Sequence, residues 1–221
     1  MPFCPQAVIF DMDGLLVDSE PVWALAERAV VEARGVVHNL ALQDGLVGLR
    51  LDEYWNKMAA IYTLTDSIPV LIEDIVTRMQ TLIPQQVETR PGAVELLTYL
   101  HERKVPIAIA SSSPISIIDS VVDSKGWRDI FAVRVSGDEV AAGKPAPDVY
   151  LEAARRLGAD PRTTLALEDS VNGARAAVAA GMICYAVPDL SHAKPEYFAN
   201  ITPHVFDSLH EVLVDLKSCG F

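Results

Sequence analysis

Cysteine is scarce and unpaired by pattern: Cys4, Cys184 and Cys219 are odd in number, far apart and without a C-x-x-C pair. That excludes a disulfide framework and a zinc site, and points to reduced thiols in a cytoplasm. Long apolar runs are also missing. No stretch approaches the about 20 residues that span a bilayer, and the first residues lack a basic segment followed by an apolar core, so a soluble chain without a secretory signal is expected. Basic residues are few, 18 against 30 acidic ones, for a formal net charge of −12. Nucleic acid and acidic membranes are poor partners for such a surface, because phosphate backbones need clustered Lys and Arg. Nor is the excess a tail: between Glu20 and Glu88 lie 10 acids and 5 bases, with 20 and 13 elsewhere. Any phosphate ligand must be held by a few local positive groups and a cation.

Half of the 221 residues are hydrophobic and 22% charged, an ordinary globular composition with enough chain for one or two domains. The organising stretch is A-V-I-F-D-M-D-G, from Ala7 to Gly14. Its four leading apolar residues read as a strand buried on both faces, which belongs in a parallel sheet covered by helices. Asp11 and Asp13 follow at a spacing of two, so both carboxylates face one small volume. Like charges gathered that way call for a cation or a shared proton. Gly14 lets the chain turn there.

After Ser19, a candidate cap, helical periodicity takes over. One helix runs from Pro21 to a stop at Gly35, a second covers Asp52 to Tyr62, and a third opens at Ser67-Ile68-Pro69 and is predicted to end at Pro84. From Thr89 helices and strands alternate. Strands are predicted at Val105–Ala110, Ala132–Val135, Thr164–Leu167 and Ile183–Val187, a short sixth at Val205-Phe206, and helices between and after them. This order predicts an α/β fold with a doubly wound parallel sheet. A helical cap over residues 19–88 interrupts a core built from 1–18 and 89–221.

Ligands in open parallel sheets bind beyond the carboxyl ends of the strands. Asp11 and Asp13, Ser111 and Ser112, Lys144, and Glu168 with Asp169 all fall after predicted strands. Singly, each has an ordinary reading: a helix cap, a solvated loop lysine, a helix N-terminus favoured by the dipole. Together they supply what phosphoryl transfer to a carboxylate needs. Asp11 suits the nucleophile and Asp13 the general acid and base, while Ser111, Ser112 and Lys144 suit the phosphoryl oxygens and Glu168 and Asp169 a Mg²⁺ ion.

F-D-M-D-G, I-A-S-S-S, G-K-P-A-P-D and L-E-D-S-V-N-G, in this order, resemble the four motifs of the haloacid dehalogenase superfamily of phosphohydrolases, over the whole chain. The resemblance implies a Rossmann-like core with an inserted cap, Asp11 as nucleophile and metal ligand, and Asp13 as general acid and base with its backbone carbonyl also on the metal. It places Ser111 and Lys144 on the transferring phosphoryl group, and Glu168 and Asp169 on Mg²⁺. D-S-E-P-V-W and G-L-R-L-D resemble the sugar-phosphate phosphatases of this superfamily, among them 2-deoxyglucose-6-phosphate and hexitol phosphatases, near the β-phosphoglucomutases. Arg50 is then expected to reach the distal part of a small phosphorylated metabolite. The mutases carry a His where this chain has Trp23, which weakens a mutase reading and leaves Trp23 as cap core or as a platform for the sugar. A monomeric phosphatase of small phosphate monoesters is expected. A phosphomutase is the alternative and a phospho-accepting signalling domain the distant one.

Overall fold

Ala7–Phe10 forms β1, and all four of its residues are fully buried. In the computed structural model, which describes residues 4–39, 42, 46, 49–190 and 193–218, β1 is the middle of a five-stranded sheet. Gly48 of the G-L-R-L-D string and Cys219 lie outside the described residues. β1 pairs in parallel with β4 (Ile107–Ser111) on one side and β6 (Thr164–Glu168) on the other. β5 (Val133–Ser136) and β7 (Ile183–Ala186) close the two edges, also in parallel.

A strand's two-residue period sends alternate side chains to opposite faces. Val8 and Phe10 of β1 accordingly join one apolar cluster, with α4 (Ala93–Glu102), α5 (Ile115–Ser124) and α8 (Leu209–Ser218). Ile9 joins another, with α6 (Asp148–Leu157) and α7 (Val171–Ala179). Each such side chain contributes roughly 1.5–3 kcal/mol by leaving water. These strands therefore read as continuous apolar runs, and their ends carry the polar residues.

Between β1 and β4 lie α1 (Glu20–Glu32), α2 (Leu51–Tyr62) and α3 (Ile68–Gln86). Their buried stripes, Val22, Ala26 and Val30 of α1 and Leu71, Ile75 and Met79 of α3 among them, extend the first cluster, and α3 packs against α5. The chain enters and leaves this insertion through a ribbon that sequence periodicity misses: β2 (Val17–Asp18) pairs antiparallel with β3 (Glu88–Thr89). Two residues are too few to show alternation.

Three expectations are corrected. Pro84 lies inside α3 and does not end it. It removes only the donor that would serve the Gln80 carbonyl, and Gln80 is exposed, so water can replace it. Val205 makes a single parallel bridge to Ala186 and no sixth strand. Ser19 precedes α1 without capping it by its side chain, because its hydroxyl is turned to Asp13.

Candidate active site

Asp11 stands where β1 leaves the sheet, its N–H held by the Leu167 carbonyl of β6 at 3.0 Å. Lys144, from the loop after β5, donates to Asp11 Oδ1 and to Glu168 Oε1, at 2.5 Å each. The three side chains are 9%, 4% and 0% exposed, so water screens these charges little. Tyr150 of α6 donates to Glu168 Oε1 at 2.7 Å, and the N–H and hydroxyl of Ser170 donate to Glu168 Oε2 at 3.2 and 3.0 Å. Glu168 thus accepts from Lys144, from Tyr150 and twice from Ser170.

Asp169 completes the group. One oxygen each from Asp11, Glu168 and Asp169 lies within 4.8 Å of the others. Gly14 makes room for it: a Cβ at Gly14 would stand 2.3 Å from Asp169 Oδ2, and its φ of +77° also favours glycine. Three buried carboxylates face one ammonium. Burial raises Asp11 to about 8, Lys144 pulling it down while Glu168 and Asp13 push it up. Burial, then Asp11 and Glu168, holds Asp169 well above the usual carboxylate range. On Lys144 burial acts downward, but the Asp11 and Glu168 carboxylates outweigh it and hold the ammonium charged. A divalent cation with hard oxygen ligands would offset this charge, and buried carboxylate oxygens are the donors Mg²⁺ takes.

Asp13 is served by four donors. Oδ1 accepts from Ser19 Oγ at 2.6 Å and from Trp23 Nε1 at 3.2 Å; Oδ2 accepts from Ser113 Oγ at 2.8 Å and from Ser111 Oγ at 3.2 Å. Two of these come from the end of β4 and its loop, two from the chain that opens the insertion. Ser111 in turn accepts the Ser113 N–H at 3.0 Å, and the Ser113 carbonyl accepts from Ser136 Oγ at 2.7 Å.

Asp11, Asp13, Ser111, Lys144, Glu168 and Asp169 are therefore brought together at the carboxyl ends of β1, β4, β5 and β6. Ser112 lies beside Gly137, its Cα 3.3 Å from where a Cβ there would be. The Arg50 guanidinium goes to Asp52 of its own helix, at 2.9 and 3.2 Å. Sequence reasoning missed Ser113, Ser19, Tyr150 and Ser170 as parts of the site. Only Ser113, inside the S-S-S run, carried a local signal.

Glu20, first in α1, faces the same acidic region. Burial first, then Asp13, Glu27, Asp189 and Asp11, raises its carboxyl to about 8.

The comparisons with known proteins point to one family and one fold. The family model for haloacid dehalogenase-like hydrolases matches residues 5–181. Hexitol phosphatase B of Escherichia coli is 38% identical over 185 residues, covering 82% of this chain and 83% of that protein. The phosphorylated carbohydrates phosphatase of Thermotoga maritima is 30% identical over 177 residues, covering 80% and 82%. Among solved structures, CbbY from Rhodobacter sphaeroides in complex with phosphate superposes with a TM-score of 0.85 at 27% identity, covering 96% of this chain and 99% of that one.

Proposed function

Since the chain belongs to the haloacid dehalogenase-like hydrolases, we propose that it is a Mg²⁺-dependent phosphatase of small phosphate monoesters, hexose or hexitol phosphates foremost, working through a phosphorylated Asp11. The observation that carries this reading is the contact of Lys144 with Asp11 at 2.5 Å beside the Asp11, Glu168 and Asp169 cluster. A nucleophilic carboxylate, a cation for the phosphoryl oxygens and a set of hard oxygen donors meet in one buried volume.

In the first half-reaction an Asp11 oxygen attacks phosphorus, the ester P–O bond breaks, and Asp13 gives a proton to the departing alkoxide. In the second, Asp13 takes a proton from water as that water attacks the aspartyl-phosphate, releasing phosphate and restoring Asp11. Lys144 and the hydroxyls of Ser111 and Ser112 hold the equatorial oxygens, whose charge must be met in the transition state. Mg²⁺, when bound by Asp11, Glu168, Asp169 and the Asp13 carbonyl, supplies further neutralisation of that charge. Glu168 also supports Lys144 from behind.

Residues 19–88 form the cap in this reading, with 1–18 and 89–221 as the core. The cap closes over the substrate and keeps water out until the leaving group has gone. A sugar or polyol phosphate is supported by the relatives named for hexitol and carbohydrate phosphates. A structural relative is described as a β-phosphoglucomutase. Against a mutase here stands Trp23, at the sequence position where the mutases carry a His, its indole N–H donating to Asp13. The enzyme is proposed to act as a cytoplasmic monomer, with Cys184 a buried reduced thiol.

The test is a phosphate-release screen over sugar, polyol and nucleotide monophosphates with Mg²⁺ and no bisphosphate activator. Turnover of hexose or hexitol phosphates is expected. Isomerisation of the ester without net phosphate release would replace the phosphatase with a mutase.

A further inference from the structure

Gly143 directly precedes Lys144, and its φ lies outside the left-handed region, so an alanine there would carry no backbone penalty. The space is the difficulty. A Cβ at Gly143 would stand 2.7 Å from Arg50 Cδ and 2.9 Å from Arg50 Cγ, with no other heavy atom of the described residues beyond the chain neighbours within 4 Å. At the other end of the same loop, a Cβ at Gly137 would lie 3.4 Å from Arg50 Cγ. The Arg50 methylenes thus fill the notch that a side chain at Gly143 would take, and share the space at Gly137 with the backbone of Ser112, whose Cα is 3.3 Å from that Cβ position.

The head of that arginine is turned away from the notch. Nε and Nη2 form a two-pronged pair with the carboxylate of Asp52, in the first turn of α2, at 3.2 and 2.9 Å. This is the division of labour of a long basic side chain, whose stem packs while its head is satisfied at the surface. The Arg50 side chain is 19% exposed, Asp52 46%. Asp138, between the two glycines, feels the guanidinium as well, its charge opposing the effect of burial on that carboxyl.

We infer that Arg50 is a positioning residue: its stem seats the N-terminus of α2 in the Gly137 and Gly143 notch and so fixes the loop that holds Lys144 against Asp11 and Glu168. Gly137–Glu139 is already fixed as a 3-10 turn capped by Ser136, so the backbone freedom still to be lost lies in the V-A-A-G segment that leads to Lys144. Packing against a side chain from another element removes that freedom where the ammonium must be placed. The inference rests on packing, and goes beyond the phosphatase reading.

The experiment compares Arg50→Ala, Arg50→Met, Gly143→Ala and the Arg50→Ala/Gly143→Ala double variant by amide hydrogen exchange of the ligand-free proteins and by steady-state hydrolysis of p-nitrophenyl phosphate. Faster exchange over residues 137–144 is expected in Arg50→Ala and Gly143→Ala, returning toward the parent in Arg50→Met, which keeps an unbranched stem without the charge. For kcat/KM, each of the two single changes is expected to cost about tenfold and the double variant no more than one of them, since both remove the same contact. Arg50→Met recovers to within about threefold. The inference is overturned if Arg50→Met is as impaired as Arg50→Ala, if the two losses multiply, or if exchange of the loop is unchanged. Were the parent to release no phosphate, the phosphatase reading would fail while the exchange data still decided the seat.

Discussion

The indole N–H of Trp23 in α1 donates to Asp13 Oδ1 at 3.2 Å, so the inserted helices and the sheet meet in a hydrogen bond on the carboxylate proposed to move protons. On the same oxygen Ser19 donates at 2.6 Å, from the chain that leads into α1. A movement of α1 is therefore felt at Asp13.

Trp23→Phe keeps a buried ring and deletes the donor. We expect kcat to fall about tenfold with KM moved less than about twofold, because the lost contact orients a proton carrier and does not hold substrate. Steady-state kinetics beside a thermal melt check this. An unchanged kcat in a stably folded variant leaves the hydrogen bond without a role in turnover.

Lys144→Met strands Asp11 and Glu168, which are 9% and 0% exposed, without their cation. Breaking a buried pair by removing one partner costs about 3–5 kcal/mol. Burial already raises Asp11 to about 8 against the pull of Lys144, so without the ammonium Asp11 binds its proton still more tightly in the folded protein than in the unfolded chain. The deficit should therefore grow as pH rises and shrink toward pH 5, where protonation replaces the lost charge. Urea unfolding at several pH values measures it.

The metal-free protein should lose stability as pH rises. Asp11 and Glu20 are both raised to about 8 in the fold, from 3.8 and 4.5. Between those limits the folded chain holds protons that the unfolded chain has released, so stability is greatest at the acid end and falls through pH 8. Thermal melts in EDTA should show Tm declining over this range. Glu20→Gln should flatten the decline, and added Mg²⁺ should restore Tm most at the alkaline end, since a ligand bound only by the folded state stabilises it.

Gly173→Ala should destabilise, against the usual sign for a helix. Alanine is normally favoured over glycine in a helix by about 1 kcal/mol. A Cβ at this position, however, would come within 1.8 Å of Glu168 Oε1, a side chain pinned by Lys144, Tyr150 and Ser170. A net loss of about 2 kcal/mol or more is expected from chemical denaturation. A gain in stability would show Glu168 to be less fixed than its hydrogen bonds imply.

Much of this was legible in the chain itself. Runs such as Ala7–Phe10 and Ile107–Ala110 are apolar on both faces because helices cover both faces of the sheet, and that alone separates them from amphipathic helices. The polar groups after them were found because strand ends share one edge. Hidden from sequence were contacts that depend on where the insertion folds back. Trp23 and Ser19 reaching Asp13, and Arg50 meeting Gly143, join residues whose partnership no local period encodes. The two-residue ribbon was invisible for want of length, and Pro84 misled because the carbonyl it deprives lies at an exposed residue near the helix end.

The central claim is that Asp11 is esterified by phosphorus during turnover. Its most direct test is a crystal structure of the protein grown with Mg²⁺ and beryllium fluoride, which mimics a phosphorylated carboxylate. The account predicts the fluoride adduct on an Asp11 oxygen, with Lys144 and a Ser111 or Ser112 hydroxyl on its fluorines and the metal against Asp169. An adduct on any other residue, or a bound metal that leaves Asp11 and Asp169 untouched, would contradict it.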